Sequence, residues 1–371
     1  MWGRDRWNWS LPDVQYRLLW YYTGVWYWTG GGTIKGRTQH RIVVLGLLLT
    51  AVIAACRPSD GGGVAATRRP TITPTPLSTA LPEIATLVPT GLEGNPLRMV
   101  VVPVEPIADE AREAIVDGLA QAIKAGTETG IVVEVLLVDR YAEAMAALCD
   151  SGSGLVSIAW LDGVTFAAAQ AQNCGQAALQ VRRGTGRDLQ TALAGQIILS
   201  GELGTTDLDA VRGRNFCRLG LEDFYSWFVP WLVFKTQGID LLNDADAVVD
   251  HDDLDSLVAA VASGECAAAG IAEDALSALL ENDEDLADQI EIVETTTPFP
   301  FAILLYPLEV QLGVRLDLND VLIAISENEE TEELLRAILG QDSLARTTPD
   351  DFEDLLAFMN ETGLDLAQLG N

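Results

Sequence analysis

Histidine, the side chain best suited to acid–base chemistry near neutral pH, occurs only twice in the 371 residues, as His40 and His251. A zinc site built from several histidines is therefore excluded, and downstream of residue 56 a Ser-His-Asp triad could use only His251. The phosphate-binding motif G-x-x-x-x-G-K-[ST] and the nucleophile motif G-x-S-x-G are both absent. We therefore expect no enzyme, no cofactor and no metal centre.

Cys56 lies in a sequence context that favours modification. A basic stretch at 35–41 precedes an apolar run at 42–55, which ends in Ala54-Ala55 directly before the cysteine. The run is too short to span a bilayer comfortably and fits the core of a signal peptide. The order of charge, apolar core, small residues and cysteine resembles a bacterial lipobox. We expect residues 1–56 to be a leader with a lipoprotein signal, and Cys56 to carry a lipid that anchors the protein to the cell membrane.

The segments around Cys56 set the start of the folded part. Residues 1–34 are rich in tryptophan and make the leader unusually long, so the true start of translation is expected to lie downstream of Met1 or the leader to be atypical. Residues 57–96 are rich in Gly, Pro, Thr and Ser and are predicted to form a disordered tether.

The net charge of the whole chain, −31, argues against nucleic acid as a partner.

Four further cysteines, Cys149, Cys174, Cys217 and Cys266, follow in the predicted folded part. An even number in an exported chain favours two disulfides, and the sequence allows three pairings. Order along the chain favours Cys149–Cys174 and Cys217–Cys266. Free buried thiols are the alternative.

Strands and helices alternate from residue 97 onward, which predicts parallel sheets with both faces covered by helices. Ligands bind at the carboxyl ends of the strands in such folds, and two facing lobes would enclose a cleft. The expected strands are 97–102, 131–138, 155–160, 197–199, 215–219, 247–249 and 266–271, and the expected helices are 108–124, 141–148, 225–236 and 254–262.

Several short segments, in this order and spacing, resemble the phosphate/phosphite/phosphonate-binding proteins of ABC transporters, which have the type II periplasmic-binding fold. The segments are 97–103, 139–141, 157–161, 207–216, 229–230, 238–240, 251–252 and 264–270. The resemblance implies an α/β protein of two lobes with a ligand cleft between them. Lobe I is expected at 97–188 plus 296–345, lobe II at 189–295, and a C-terminal helical tail at 346–371.

The chain departs from this family at the turn that holds phosphoryl oxygens. The family has Ser-Thr-Ser-Gly there, whereas this sequence reads Asp223-Phe224-Tyr225-Ser226, preceded by Glu222. Two like charges 4 Å apart repel by about 4 kcal/mol at an effective dielectric constant of 20. We therefore expect that the protein does not bind phosphonate or phosphate. Asp223 could instead simply cap the following helix.

Other cleft residues follow from the resemblance. Tyr141, His251 and the acidic pair Glu273-Asp274 match ligand-contacting positions, and Phe166 replaces an aromatic hydroxyl. Aromatic rings with carboxylates suit an organic cation or an amine, although a neutral solute is also compatible. Trp160 could equally belong to the core, and His251 could serve only a loop hydrogen bond. Trp227 is spaced like Phe228 and Trp231 along one helix, which favours the core for it. The expected ligand-binding residues are Tyr141, Trp160, Phe166, Asp223, Tyr225, His251, Asp252, Glu273 and Asp274, in a cleft with Asp162, Glu222 and Trp227.

Together these features predict a monomeric, lipid-anchored, extracytoplasmic solute-binding protein. Its expected partners are a small-molecule ligand, the permease and ATPase subunits of an ABC-type importer, and the membrane through Cys56. A lipoprotein of the same fold that senses a ligand, or a scaffold that binds nothing, remains the alternative.

Overall fold

The computed structural model describes residues 90–151, 155–184, 186, 188–282, 286 and 288–368. The leader, Cys56 and most of the expected tether lie outside these residues. Within them, no helix combines the length and apolar character needed to cross a membrane.

The first lobe contains a six-stranded sheet whose strand order is β13-β4-β12-β3-β1-β2. β3 is buried along its whole length, as expected of a central strand covered on both faces. The strands are β1 (Leu97–Val101), β2 (Val133–Leu137), β3 (Ser157–Leu161), β4 (Gln176–Arg182), β12 (Ile303–Tyr306) and β13 (Ser343–Arg346).

The second lobe contains a five-stranded sheet in the order β10-β6-β9-β7-β8. Its central strand β9 carries Ala268, Ala269 and Gly270, small residues that let neighbouring segments approach closely. The strands are β6 (Gly195–Ser200), β7 (Phe216–Arg218), β8 (Val248–Asp250), β9 (Ala268–Ala272) and β10 (Ile290–Thr295).

A two-stranded ribbon links the lobes. β5 (Ala192–Leu193) pairs antiparallel with β11 (Phe299–Pro300), so the two places at which the chain crosses between the sheets lie side by side. This arrangement is the hinge of a two-lobed α/β protein. The predicted fold class is confirmed.

Helices cover the faces of both sheets. The α-helices are α1 (Asp109–Gly126), α2 (Tyr141–Cys149), α3 (Gly163–Ala171), α4 (Val229–Thr236), α5 (Leu241–Asp244), α6 (Leu254–Ala262), α7 (Glu273–Asn282), α8 (Leu312–Glu327), α9 (Glu332–Leu339) and α10 (Glu353–Glu361). The last helix packs on the first lobe, where Leu355 and Met359 are buried against the cluster that contains Phe166.

The prediction of purely parallel sheets is wrong. β1 is parallel to β2 and β3, and β7 is parallel to β8 and β9, but β12 runs antiparallel to β3 and β4, and β6 runs antiparallel to β9. β6 and β12 each enter their sheet directly after a hinge crossing. They therefore enter from the other lobe and run antiparallel to the neighbouring strands that βαβ connections join.

The folded part begins earlier than the expected boundary at residue 97. The Gly91 amide donates to the Asn95 carbonyl at 2.8 Å, and the Gly91 carbonyl accepts from Val132 at 2.8 Å. Gly91 has a φ of +88°, a conformation that glycine adopts readily. Residues 90–96 thus form a turn against the segment that leads into β2.

Cys149 is disulfide-bonded to Cys174, and Cys217 to Cys266, with Cα separations of 4.7 Å and 5.9 Å. The first bridge joins the end of α2 to the loop before β4. The second joins β7 to the segment before β9. Each therefore links elements of a single lobe.

Candidate functional site

A cavity of about 570 Å³ lies between the lobes. It is of the size that proteins use for small ligands. Its walls are the segments that follow β1, β2, β3, β4 and β7, together with both strands of the hinge. It thus lies at the carboxyl ends of strands, where ligands bind in open α/β sheets. The lining residues are Val102, Pro103, Val104, Tyr141, Asp162, Gly163, Arg183, Leu193, Leu221, Glu222, Phe224, Tyr225, Phe228, Phe299, Pro300 and Phe301.

Aromatic rings form much of the wall on the side of the second lobe. The Phe224 ring stacks on Phe228 at a centroid distance of 5.7 Å and meets Phe299 edge-on at 5.2 Å. Phe299 belongs to the hinge, so these contacts join the second lobe to the crossing. The result is an apolar surface suited to a hydrocarbon or aromatic group of a ligand.

A single turn of π-helix positions these rings. It spans Phe224–Phe228 and runs directly into α4. π-Helical turns are rare and frequently occur at functional sites. This one turns Phe224, Tyr225 and Phe228 toward the cavity, whereas Trp227 is fully buried against Phe216, with a centroid distance of 6.1 Å.

Asp223 caps this π-helical turn. Its Oδ1 accepts a hydrogen bond from the Ser226 amide at 2.6 Å. The Ser226 hydroxyl, which is buried, accepts from the Leu219 amide at 3.0 Å. The Ser226 amide and the Ser226 hydroxyl are thus both engaged within the protein.

Asp162 places a carboxylate in the wall of the first lobe. It caps α3, and its Oδ1 accepts from the amide and the hydroxyl of Thr165 at 2.7 Å and 2.6 Å. Desolvation raises the pKa of this carboxyl above 3.8, and the hydrogen bonds from Thr165 and Val164 oppose that shift. Its charge is therefore compensated by neutral donors, with no cation of the described residues within ion-pairing distance.

Arg183 follows β4 and brings a cation to the same cavity. Its guanidinium lies over the Phe301 ring, with Cζ 4.5 Å from the centroid, and Nη2 donates to the Leu339 carbonyl at 3.1 Å. Within the described part of the chain, Nε and Nη1 make no hydrogen bond. Burial lowers the pKa of Arg183, and nearby Tyr141, Tyr225 and Asp342 oppose that shift.

Tyr225 ties the π-helical turn to the hinge. Its hydroxyl donates to the Leu193 carbonyl at 3.3 Å. Desolvation raises the pKa of this phenol, and the charge of Asp274 adds to the effect. Tyr225 is therefore a neutral hydrogen-bonding group that spans the second lobe and the hinge.

The structure brings some of the predicted residues to the cavity and leaves others in the core. Tyr141, Tyr225, Asp162 and Glu222 line it. Trp160 and Phe166 do not, because each is only 1% exposed and packs in the core of the first lobe. Of the two interpretations of Trp160, the core position is correct. Its side chain, in β3, packs in the buried cluster that includes Leu119 of α1 and Leu318 of α8. Trp227 is likewise a core residue, as its helical spacing with Phe228 and Trp231 favours.

The remaining predicted residues are not among those that line the cavity. Asp223 caps the π-helical turn, Asp252 is exposed after β8, and Glu273 and Asp274 begin α7. His251 lies at the Cys217–Cys266 disulfide, with Nε2 2.9 Å from the Cys217 sulfur. The His251 nitrogen and both sulfurs lie within 4.8 Å of one another, but the disulfide removes the thiolates that a metal ion would need.

Sequence reasoning missed Arg183 and the hinge phenylalanines Phe299 and Phe301. Arg183 follows β4, and the phenylalanines form or adjoin β11. Neither strand was predicted. The sequence contains Arg183 and a Phe-Pro-Phe segment at 299–301, but nothing local shows that they meet. Their proximity comes only from the two adjacent hinge crossings.

Several solved structures are similar to this chain, each covering 72% of it. The chloride-bound protein XAC2383 from Xanthomonas citri is 11% identical, is covered over 97% of its length and gives a TM-score of 0.48. A binding protein component of an ABC phosphonate transporter from Pseudomonas aeruginosa is 14% identical, covered over 88%, with a TM-score of 0.43. PhnD1 from Prochlorococcus marinus, solved with methylphosphonate, is 11% identical, covered over 98%, with a TM-score of 0.43.

No curated protein matches the chain in sequence. A family model does match, over residues 101–352, which is more than half of the chain. Its description is that of the periplasmic substrate-binding protein of phosphonate ABC transporters. The protein belongs to this family.

Proposed function

We propose that the interlobe cavity takes an organic solute that carries an amine, and that it does not take phosphonate or phosphate. The family supplies the coarser role, an extracytoplasmic solute-binding protein of an ABC importer. In this proposal the protein hands its solute to a permease and an ATPase while a lipid on Cys56 holds it at the membrane.

The observation that carries the proposal is the position of Asp223. A helix N-terminus binds anions through its free amides. Here the Asp223 carboxylate accepts from the Ser226 amide at 2.6 Å, so the protein's own anion occupies that position. A phosphonate dianion would have to displace this carboxylate or lie beside it, and the repulsion described above opposes both.

The other residues that line the cavity favour a ligand that carries an amine. Asp162 and Glu222 bring two carboxyl groups to the cavity, and the rings of Phe224, Phe228 and Phe299 surround it. Aromatic faces attract organic cations, and carboxylates accept hydrogen bonds from ammonium groups.

A thermal-shift screen with a broad solute library tests the ligand class. We expect organic amines to raise the melting temperature of the protein, since a ligand at 100 times its dissociation constant adds about 2.7 kcal/mol to the free energy of unfolding. Phosphate, phosphite and methylphosphonate should leave the melting temperature unchanged. A clear rise with methylphosphonate would refute the argument from Asp223.

Lipid anchoring is tested by metabolic labelling. Cells that produce the wild-type protein with radioactive palmitate should yield labelled protein, and Cys56→Ala should abolish the label because the thiol that accepts the lipid is gone. Cys149→Ala is the matched control and should keep the label. Label retained in Cys56→Ala would mean that the lipobox interpretation is wrong.

A further inference from the structure

The cavity is lined by two opposite charges that do not neutralise each other. Asp162 and Arg183 both lie in its wall, yet among the described residues neither has an ion-pair partner. Desolvating a charge without a partner costs free energy. The charge of Asp342 acts on Arg183 without forming an ion pair with it, so a ligand that pairs directly with both groups would reduce this cost on binding.

Strand register explains why the two charges stay apart. Leu161 and Gln180 pair with the same residue of β12, Ile303, so β3 and β4 flank that strand. Asp162 and Arg183 follow these two strands, and two strand spacings of about 4.8 Å therefore separate their backbones.

The free atoms of Arg183 match an anion. Nη2 is held by the Leu339 carbonyl and the guanidinium plane rests on Phe301, so the group is fixed in position. Nη1 makes no hydrogen bond with the described residues, whereas Nε, which also makes none, is buried. A planar guanidinium fork suits a planar carboxylate.

We propose that the solute is a zwitterion with an ammonium group that binds Asp162, a carboxylate that binds Arg183, and an apolar body that packs on Phe224, Phe228 and Phe299. This inference rests on the proposed function and narrows its amine-bearing solute to an amino acid-like compound. The anion is received by Arg183 in the first lobe and not by the helix N-terminus at Asp223.

Isothermal titration calorimetry with four related probes tests the inference. Phenylalanine and β-phenyl-γ-aminobutyrate carry both charges at two different spacings, phenethylamine carries only the ammonium group, and phenylpropanoate carries only the carboxylate. We expect at least one zwitterion to bind the wild-type protein about tenfold or more tighter than either singly charged probe, because each charge-assisted hydrogen bond contributes separately.

Binding measurements on variants test which residue binds each charged group of the ligand. Arg183→Gln should weaken binding of the zwitterion about tenfold or more and leave phenethylamine unaffected, whereas Asp162→Asn should weaken both. Arg183→Lys keeps the charge and should restore part of the zwitterion's affinity. Arg182→Gln is the matched control, since the neighbouring arginine does not line the cavity, and it should bind as the wild type does. The melting temperature of each variant without ligand shows that it is folded.

Other binding results would refute the role of Arg183, the zwitterion inference or the proposed function, as follows. Equal zwitterion affinity in the wild type and Arg183→Gln would refute the role of Arg183. If amines bind but no zwitterion binds more tightly than phenethylamine, the zwitterion inference fails and the proposed function stands. If no solute of the broad library binds, both fail.

Discussion

At the scale of single residues, the buried carboxyl group of Asp162 in the cavity wall opposes stability. Burial raises its pKa above 3.8, so the folded protein binds a proton here more tightly than the unfolded chain does. The free energy of unfolding therefore falls as the pH rises from about 3.8 through the raised pKa. Above that window the full cost of the buried charge is present in the ligand-free protein.

Asp162→Asn should remove this cost. Asparagine caps a helix about as well as aspartate, so the Thr165 hydrogen bonds can persist. We expect the ligand-free variant to gain stability relative to the wild type as the pH rises from 3 to 7. Urea denaturation across this range measures the difference. A difference that does not change with pH would contradict the argument.

Asp253→Asn is the matched control with the opposite sign. Asp253 caps α6, and hydrogen bonds from Ser256 lower its pKa below 3.8. Its contribution is therefore present above about pH 3.8 and is lost as the pH falls through the lowered pKa. This variant should lose stability relative to the wild type as the pH rises through that window.

At the scale of elements, the approach between β9 and the π-helical turn requires a glycine. A Cβ atom at Gly270 would lie 2.0 Å from Pro230 Cγ and 2.6 Å from the Tyr225 carbonyl oxygen. The turn that aims Phe224 and Tyr225 at the cavity thus rests on the backbone of β9. The position of the aromatic wall depends on this contact.

Gly270→Ala should destabilise the protein by about 1–3 kcal/mol, because overpacking forces backbone shifts. The same substitution should disturb solute binding, since Tyr225 belongs to the displaced segment. Gly313→Ala is the matched control: a Cβ there meets nothing within 4 Å, and helix α8 should gain about 0.4–1 kcal/mol. Chemical denaturation of both variants measures the effect, and equal stabilities would show that the contact is absent.

At the scale of the whole molecule, neither disulfide bridges the two lobes. The covalent links between the lobes are the two hinge crossings at β5 and β11. The disulfides can therefore stabilise each lobe without locking the cleft, and a hinge movement around a ligand remains possible.

Replacing Cys149 and Cys174 together with serine should lower the free energy of unfolding by about 3.5 kcal/mol, because the bond closes a loop with a sequence separation of 25. Zwitterion affinity should change little, because neither cysteine lines the cavity. Thiol titration of the unfolded, unreduced wild-type protein is the control. Reactive thiols at all four of these cysteines would contradict both bridges.

The sequence by itself determined the alternation of strands and helices, because apolar periodicity reports local structure directly. It also identified the altered turn at Asp223 and the tyrosines Tyr141 and Tyr225, which stand at strand–helix junctions. These residues follow from matching short motifs of the family along the chain, which requires no knowledge of tertiary contacts.

Only the tertiary structure decided what faces the cleft. Trp160 and Phe166 follow the same local patterns as cleft residues, yet sheet pairing and the packing of α10 bury them. Arg183 and Phe301 are far apart in sequence and meet because two antiparallel crossings lie side by side. The physical reason is that strand register and hinge pairing are long-range interactions, which no local stretch of residues specifies.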